Sequence, residues 1–177
     1  MAAGPAANLL LAIAIYAVVN WSGIEEPKPV LASPSIGSLA EAAGLRGGEW
    51  VSQAGPDEDN LADVGSFEDL RWRLTQAALS NEDMTLRVSN DEGGVPRSVV
   101  LPLAGLDVRE ADASLFQKIG ITGPWTQPVV GEVLAGGAAE AAGLIAGDTV
   151  RSVDGTTVPD GQRLRALIRA STGPAGE

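Results

Sequence analysis

From Ala6 to Val19 the chain reads AANLLLAIAIYAVV, a run with one amide and no charge. Such a run is apolar on every side of a helix rather than along one stripe. Extended to Trp21, the helix would be about 30 Å long at about 1.5 Å per residue, the thickness of a bilayer core. Tyr16 and Trp21 lie toward one end, where interfacial aromatics sit. The pattern predicts a transmembrane helix over residues 1–22. A secretory signal peptide and a buried helix are the alternatives. A signal peptide needs a basic start and a small-x-small cleavage site, and no Lys or Arg precedes Lys28. Gly4-Pro5 opens the helix, and Asn8 lies in its first turns. An amide in hydrocarbon is costly without a partner. Asn8 is therefore either hydrated near the headgroups or turned toward another helix or a polar cavity.

Beyond residue 24 the pattern changes to short apolar runs broken by glycine, and it repeats. Residues 41–51 read EAAGLRGGEWV, and 140–150 read EAAGLIAGDTV, an offset of 99 with no gap. A period this long is not that of a solenoid; it indicates two copies of one small unit. In the second copy, 128–133 (PVVGEV) reads as a strand and 138–142 as a short helix. Gly143 is its left-handed C′ residue, and Leu144 folds back on the turn. Residues 149–153 form a strand ending at the Asp154-Gly155 turn signal. Asp160 reads as an N-cap, with Leu164, Leu167 and Ile168 on one face of the following helix.

The first copy keeps this order. Residues 29–32 are a short strand, 38–43 a short helix capped by Gly44-Leu45, and 50–53 a strand. An acidic insertion, 56–64, follows. Ser66 and Asp69 form a variant capping box for a helix to about Leu79, whose apolar face is Phe67, Leu70 and Leu74. Residues 84–89 and 97–103 read as a hairpin about the 91–94 turn. Residues 104–123 read as a linker or an irregular lead-in to the second copy.

Composition narrows the chemistry. The 177 residues include no Cys and no His. That excludes disulfides, thiol chemistry and a His-based nucleophilic triad, and leaves acid–base work to Asp, Glu, Lys or Tyr16. A zinc site would have to be built from carboxylates alone, which is rare. The net charge of −11 argues against a nucleic-acid partner. Residues 25–105 carry −8 of it and 106–177 carry −3, so the first copy is the more repelled by anionic lipid. The Asp57–Asp63 cluster has Leu61 and Ala62 where a calcium loop needs oxygen ligands, and reads as a solvated loop.

The order of strand, short capped helix, GLxxGD turn, strand, DG turn and long helix resembles a circularly permuted bacterial PDZ domain. AAGLIAGDTVRSVDG (141–155) is its specific part. The first copy departs from it, with SQAG in place of the VDG ending. The fold expected is α+β: one transmembrane helix (1–22), then two circularly permuted PDZ domains, small partly open β-barrels with capping helices. The domains are 25–105 and 124–177, joined by a linker at 106–123, with the second truncated. The resemblance implies grooves for extended peptides or C-termini. The first groove would be lined by Val30, Leu31, Leu70 and Leu74, and the second by Ile121, Val129, Val130, Leu164 and Leu167. Gly23-Ile24 would lie near the loop of the first. The leucines double as core candidates.

A charge-free helix with Gly4-Pro5-Ala6-Ala7-Asn8 leading into two such copies resembles the site-2 protease family, of the regulator-of-sigma-E type. In that family the helix carries a GPxxN motif. The resemblance implies a piece of an intramembrane zinc metalloprotease in the bacterial inner membrane, its PDZ region periplasmic or extracytoplasmic. Gly4, Pro5 and Asn8 would lie beside the active site. The PDZ pair would screen membrane-protein substrates such as an anti-sigma factor. Zinc would belong to the parent protein. The HExxH helix and LDG-type Asp that bind it there are absent from this chain, which therefore carries no catalytic residue and binds no metal. A membrane-anchored PDZ adaptor without catalysis is the alternative, and an HtrA-like serine protease a third option.

Overall fold

The computed structural model describes residues 3–22, 26–106 and 113–171. Helix α1 spans Ala3–Ser22. Its described apolar side chains, among them Leu9, Leu10, Leu11, Ile13, Ile15 and Val18, are exposed on all sides. Among the described residues no helix is long and apolar enough to cross a membrane. Asn8 is exposed; Gly4 and Pro5 lie in the helix, outside the residues whose side chains are described.

The first copy is built on an antiparallel sheet, β2-β1-β3-β4, from β1 (Trp50–Gly55), β2 (Ala62–Asp63), β3 (Met84–Ser89) and β4 (Arg97–Leu101). Residues 29–32 join its edge by an antiparallel bridge, Val30 to Trp50. Alternating residues of β3 and β4 put Met84, Leu86, Val88, Val99 and Leu101 into the core. They meet Phe67, Leu70, Leu74, Ala77 and Ala78 of helix α3 (Phe67–Ser80). The α3 cap is the one the sequence predicts: Ser66 Oγ accepts from Asp69 N at 3.2 Å. The Asp69 carboxylate accepts from Gly65 N and holds Arg73 at 2.9 Å. At the other end Asn81 takes the left-handed conformation, φ 57°, which Asn tolerates better than most residues.

Helix α2 (Leu39–Ala42) and its counterpart α5 (Ala138–Ala141) carry the repeat. Glu41 accepts from Gly37 N, and Glu140 from Gly136 N, both at 2.6 Å. Gly44 and Gly143 have φ of +80° and +81°. Leu45 N donates to Ala40 O, and Leu144 N to Ala139 O, both at 3.0 Å. The two copies thus share one local fold across the 99-residue offset.

Their cores differ. Leu45 is 4% exposed and Leu144 is 40% exposed; Val51 is fully enclosed while Val150 is half-buried. In the first copy β3 and β4 cover this face. The second copy has, among the described residues, only the two-stranded pair β5 (Ser152–Val153) and β6 (Thr156–Thr157) around the Asp154-Gly155 turn. Among the described residues, the predicted strands at 128–133 and 149–153 are reduced to the bridge Val129–Thr149 and to β5.

The segment 106–123, read from sequence as a linker, holds helix α4 (Ala113–Ile119). Leu115, Ile119 and Ile121 are buried in the same core as Leu31 and Ala40. Helix α6 (Gly161–Ser171) ends the described chain.

Truncating Leu45 to Ala should cost about 2–4 kcal/mol, and Leu144→Ala under about 1 kcal/mol. Urea denaturation of the full chain checks the pair; equal losses would contradict the difference in closure. Asp69 is held below the usual carboxylate range, chiefly by its bond to Arg73, with burial opposing and Gly65 N–H assisting. Its contribution is therefore present above the unfolded value of about 3.9 and lost as pH falls through the lower folded value. Asp69→Asn should lower the melting temperature at neutral pH, by under about 1 kcal/mol of stability. The gap from wild type should narrow as pH falls below the unfolded value; a gap independent of pH would contradict this.

Candidate functional site

The peptide groove expected along residues 29–32 is not open at that edge. One side of the strand bonds β1 (Leu31 N to Glu49 O and Val51 N to Pro29 O, both 2.8 Å). The other side is taken by the chain itself. Trp125 N donates to Val30 O at 2.8 Å and Ala32 N to Gly123 O at 3.4 Å, around a Leu31–Pro124 bridge. Leu31, Leu70 and Leu74 are fully buried and Ile121 nearly so, all within one core. They hold the first copy together rather than line a surface, and this includes Ile121, expected in the second groove. Val30 is half-buried. Of the second set, Val129 is exposed, and Val130, Leu164 and Leu167 are half-buried.

What anchors 113–125 on the first copy is close packing. Gly120 has φ +91° and lies against Ser38 with no room for a Cβ. Ser35 N donates to Gly120 O at 3.2 Å. On α4, the Phe116 ring faces the Arg71 guanidinium of α3 at 4.6 Å.

A second junction fixes α6. Asp160 is completely buried. One oxygen accepts from Arg163 N at 2.8 Å, as the predicted N-cap would. The other reaches the first copy, accepting from Ser33 N at 2.8 Å and from Ser33 Oγ. Two glycines make room. A Cβ on Gly47 would lie 2.5 Å from Asp160 Oδ2 and 2.9 Å from Ser33 N. A Cβ on Gly161 would lie 2.7 Å from Thr126 Oγ1, and Gly161 N donates to Thr126 O at 2.9 Å. The sequence identifies the cap; nothing in it marks Ser33 as the carboxylate's second partner.

Between these anchors lies a cleft of about 590 Å³. One wall is the Ser33–Ile36 loop with Gln117 and Thr122. The other is α6 from Gln162 to Arg169, carrying Arg163, Arg165 and Arg169. The matching face of α3, 94 residues earlier, lines a smaller cavity of about 260 Å³ between Glu68, Arg71, Trp72 and Thr75, with Phe116 beside it. Trp72 stands where α6 has Ala166, so bulk occupying the first-copy site is missing from the second.

Neither cavity is lined by metal donors suited to zinc. The chain has no His or Cys, and no group of three or more carboxylates able to hold a metal occurs among the described residues. In the acidic insertion, Asp57 spends its oxygens on Asp59 N, Asn60 N and Asn60 Nδ2. Among the described residues no donor set fits a zinc centre.

A profile of the PDZ domain family matches residues 129–175. A protein of Ralstonia nicotianae named as a zinc metalloprotease is 36% identical over 173 residues, covering 96% of this chain and 37% of that protein. The regulator of sigma-E protease of Escherichia coli is 28% identical over 175 residues, covering 98% and 38%. A protein of Vibrio cholerae named as a zinc metalloprotease is 29% identical over 174 residues, covering 96% and 37%. The chain spans a little over a third of the length of the curated relatives it matches.

Asp160→Asn would set an amide donor, or lose an acceptor, against the two Ser33 donors or Arg163 N. It should cost about 1–3 kcal/mol and speed amide exchange at Ser33 and Arg163. Hydrogen exchange resolved by residue tests this; unchanged protection at Ser33 would show that the bond does not hold the junction.

Proposed function

We propose that this chain, a homologue of the site-2 proteases of the regulator-of-sigma-E type, is the substrate-screening PDZ portion of an intramembrane zinc metalloprotease. The observation that carries the reading is 36% identity over 173 aligned residues, 96% of this chain, to a relative named as a zinc metalloprotease. The likeness extends over the apolar helix, both copies and the segment between them. The PDZ match at 129–175 supports peptide binding by the second copy. The shared caps and left-handed glycines support reading the first copy as a PDZ domain too.

In this reading the charge-free opening segment that contains α1 enters the inner membrane. Its exposed apolar side chains and the absence of charge before Glu25 support that placement. Asn8, with Gly4 and Pro5, then stands beside a zinc site carried elsewhere in the parent protein. Zinc there would polarise the scissile carbonyl and activate water. What this chain does is hold and sort. Both copies stand outside the membrane, and their joined walls admit extended segments of membrane-protein substrates, such as an anti-sigma factor, while bulky domains are turned away. A strand pair on the exposed face of Val129 and Leu144 would close the second copy as β3 and β4 close the first.

Sequencing the reading frame upstream of the Met1 codon tests the assignment. An HExxH helix there is expected; a frame without one overturns the protease reading in favour of a membrane-anchored PDZ adaptor. In the parent enzyme, Asn8→Leu should slow cleavage of a membrane substrate about tenfold or more with normal membrane insertion. Unchanged cleavage would remove Asn8 from the active-site region.

A further inference from the structure

We propose that the cleft between the two copies is a receptor for an extended peptide segment rich in Asp and Glu, recognised by Arg163, Arg165 and Arg169. The inference rests on the peptide-screening reading above and adds the chemistry of what is screened. Three of the six basic residues in 106–177 stand along α6 on this one wall. Among the described residues no carboxylate lines the cleft. Asp160 lies behind it, and its charge is already shared among Ser33 N, Ser33 Oγ and Arg163 N. Counting Asp160, the balance of the described residues at the cleft is positive, in a chain of net charge −11. A cleft of one sign with low-dielectric walls concentrates ions of the other. Guanidinium groups present planar forks that match carboxylates in pairs.

Size and mixture point to a peptide. About 590 Å³ lies within the usual range of ligand pockets. The wall facing the arginines carries Ile36, 72% exposed, with Gln117 and Thr122. An inorganic anion has no use for Ile36, whereas an acidic segment with an interposed apolar residue satisfies both walls. The arginines line a concavity between two walls, which a flat bilayer surface does not enter.

The test uses the full chain and fluorescence anisotropy with three labelled octapeptides. One is a Glu-rich peptide with central Leu and an amidated end. The second is its Gln counterpart, amidated; the third is that Gln peptide with a free C-terminus. The Glu peptide should bind about tenfold tighter than either Gln peptide at low salt, with the preference shrinking as salt rises. Arg165→Gln with Arg169→Gln should abolish the preference; both side chains are exposed, and circular dichroism checks the fold. Ile36→Glu, on the opposite wall, should weaken the Glu peptide independently of α6. Equal affinity for the Glu and Gln peptides overturns the charge inference and leaves peptide binding standing. Tighter binding of the free C-terminus than of Glu side chains also overturns it. So does a preference that survives the double variant. Binding to phosphatidylserine vesicles that the double variant abolishes, without a Glu preference, assigns the arginines to lipid instead. Failure of all three peptides to bind a folded chain overturns both the inference and the peptide-binding reading.

Discussion

The spatial relation of the two copies depends on one buried carboxylate. A charge withdrawn from water costs several kcal/mol unless hydrogen bonds replace its hydration. Asp160 has three such donors, one from its own helix and two from Ser33. It therefore begins α6 and ties that beginning to the first copy in the same act. Gly47 gives the joint its clearance, since a methyl group there would collide with Asp160 and Ser33; one on Gly161, at the start of α6, would collide with Thr126. The cleft exists because α6 is held at this distance from the Ser33–Ile36 loop, and its charge exists because α6 turns three arginines into it.

The internal repeat separates local encoding from long-range closure. GLxxG[ED]xV is a set of instructions a few residues long: a left-handed glycine, an apolar residue folded back, an acidic side chain bonding the turn. Glu49 accepts from Arg46 N at 2.9 Å and Asp148 from Ile145 N at 3.0 Å. The turn forms in both copies. Beyond it the copies part. Glu49 is also paired at 2.7 Å with Arg97, a residue of β4, which reaches back 48 positions along the chain. Among the described residues no equivalent strand stands over Asp148, and Leu144 and Ile145 remain exposed.

The elements were largely legible because their signals are local. Ser66 and Asp69 announce the start of α3, Asp154-Gly155 the β5–β6 turn, and the alternation in 84–89 a strand. Residues 113–125 were not legible as part of the first copy. Leu115 and Ile119 are four apart, as one face of a helix requires, but a seven-residue helix offers too short a period to stand out. What Gly123 and Trp125 pair with lies some 90 residues away, and nothing in their own identity names that partner. The same limit explains the groove residues. Apolar positions such as Leu70 and Leu74 serve equally as core or as groove lining, and only burial distinguishes the two.

The sequence by itself determined the repeat, the caps, the turn glycines, the charge-free opening helix and the absence of His and Cys. Each of these is carried by a residue type or by a spacing within a few positions. Only the tertiary structure decided which strand edge is taken, which leucines are enclosed and where Asp160 finds its second partner. It also decided that Arg163, Arg165 and Arg169 share a wall. Those outcomes depend on contacts between residues far apart in the chain, where backbone pairing is available to any residue and side-chain identity does not specify the distance.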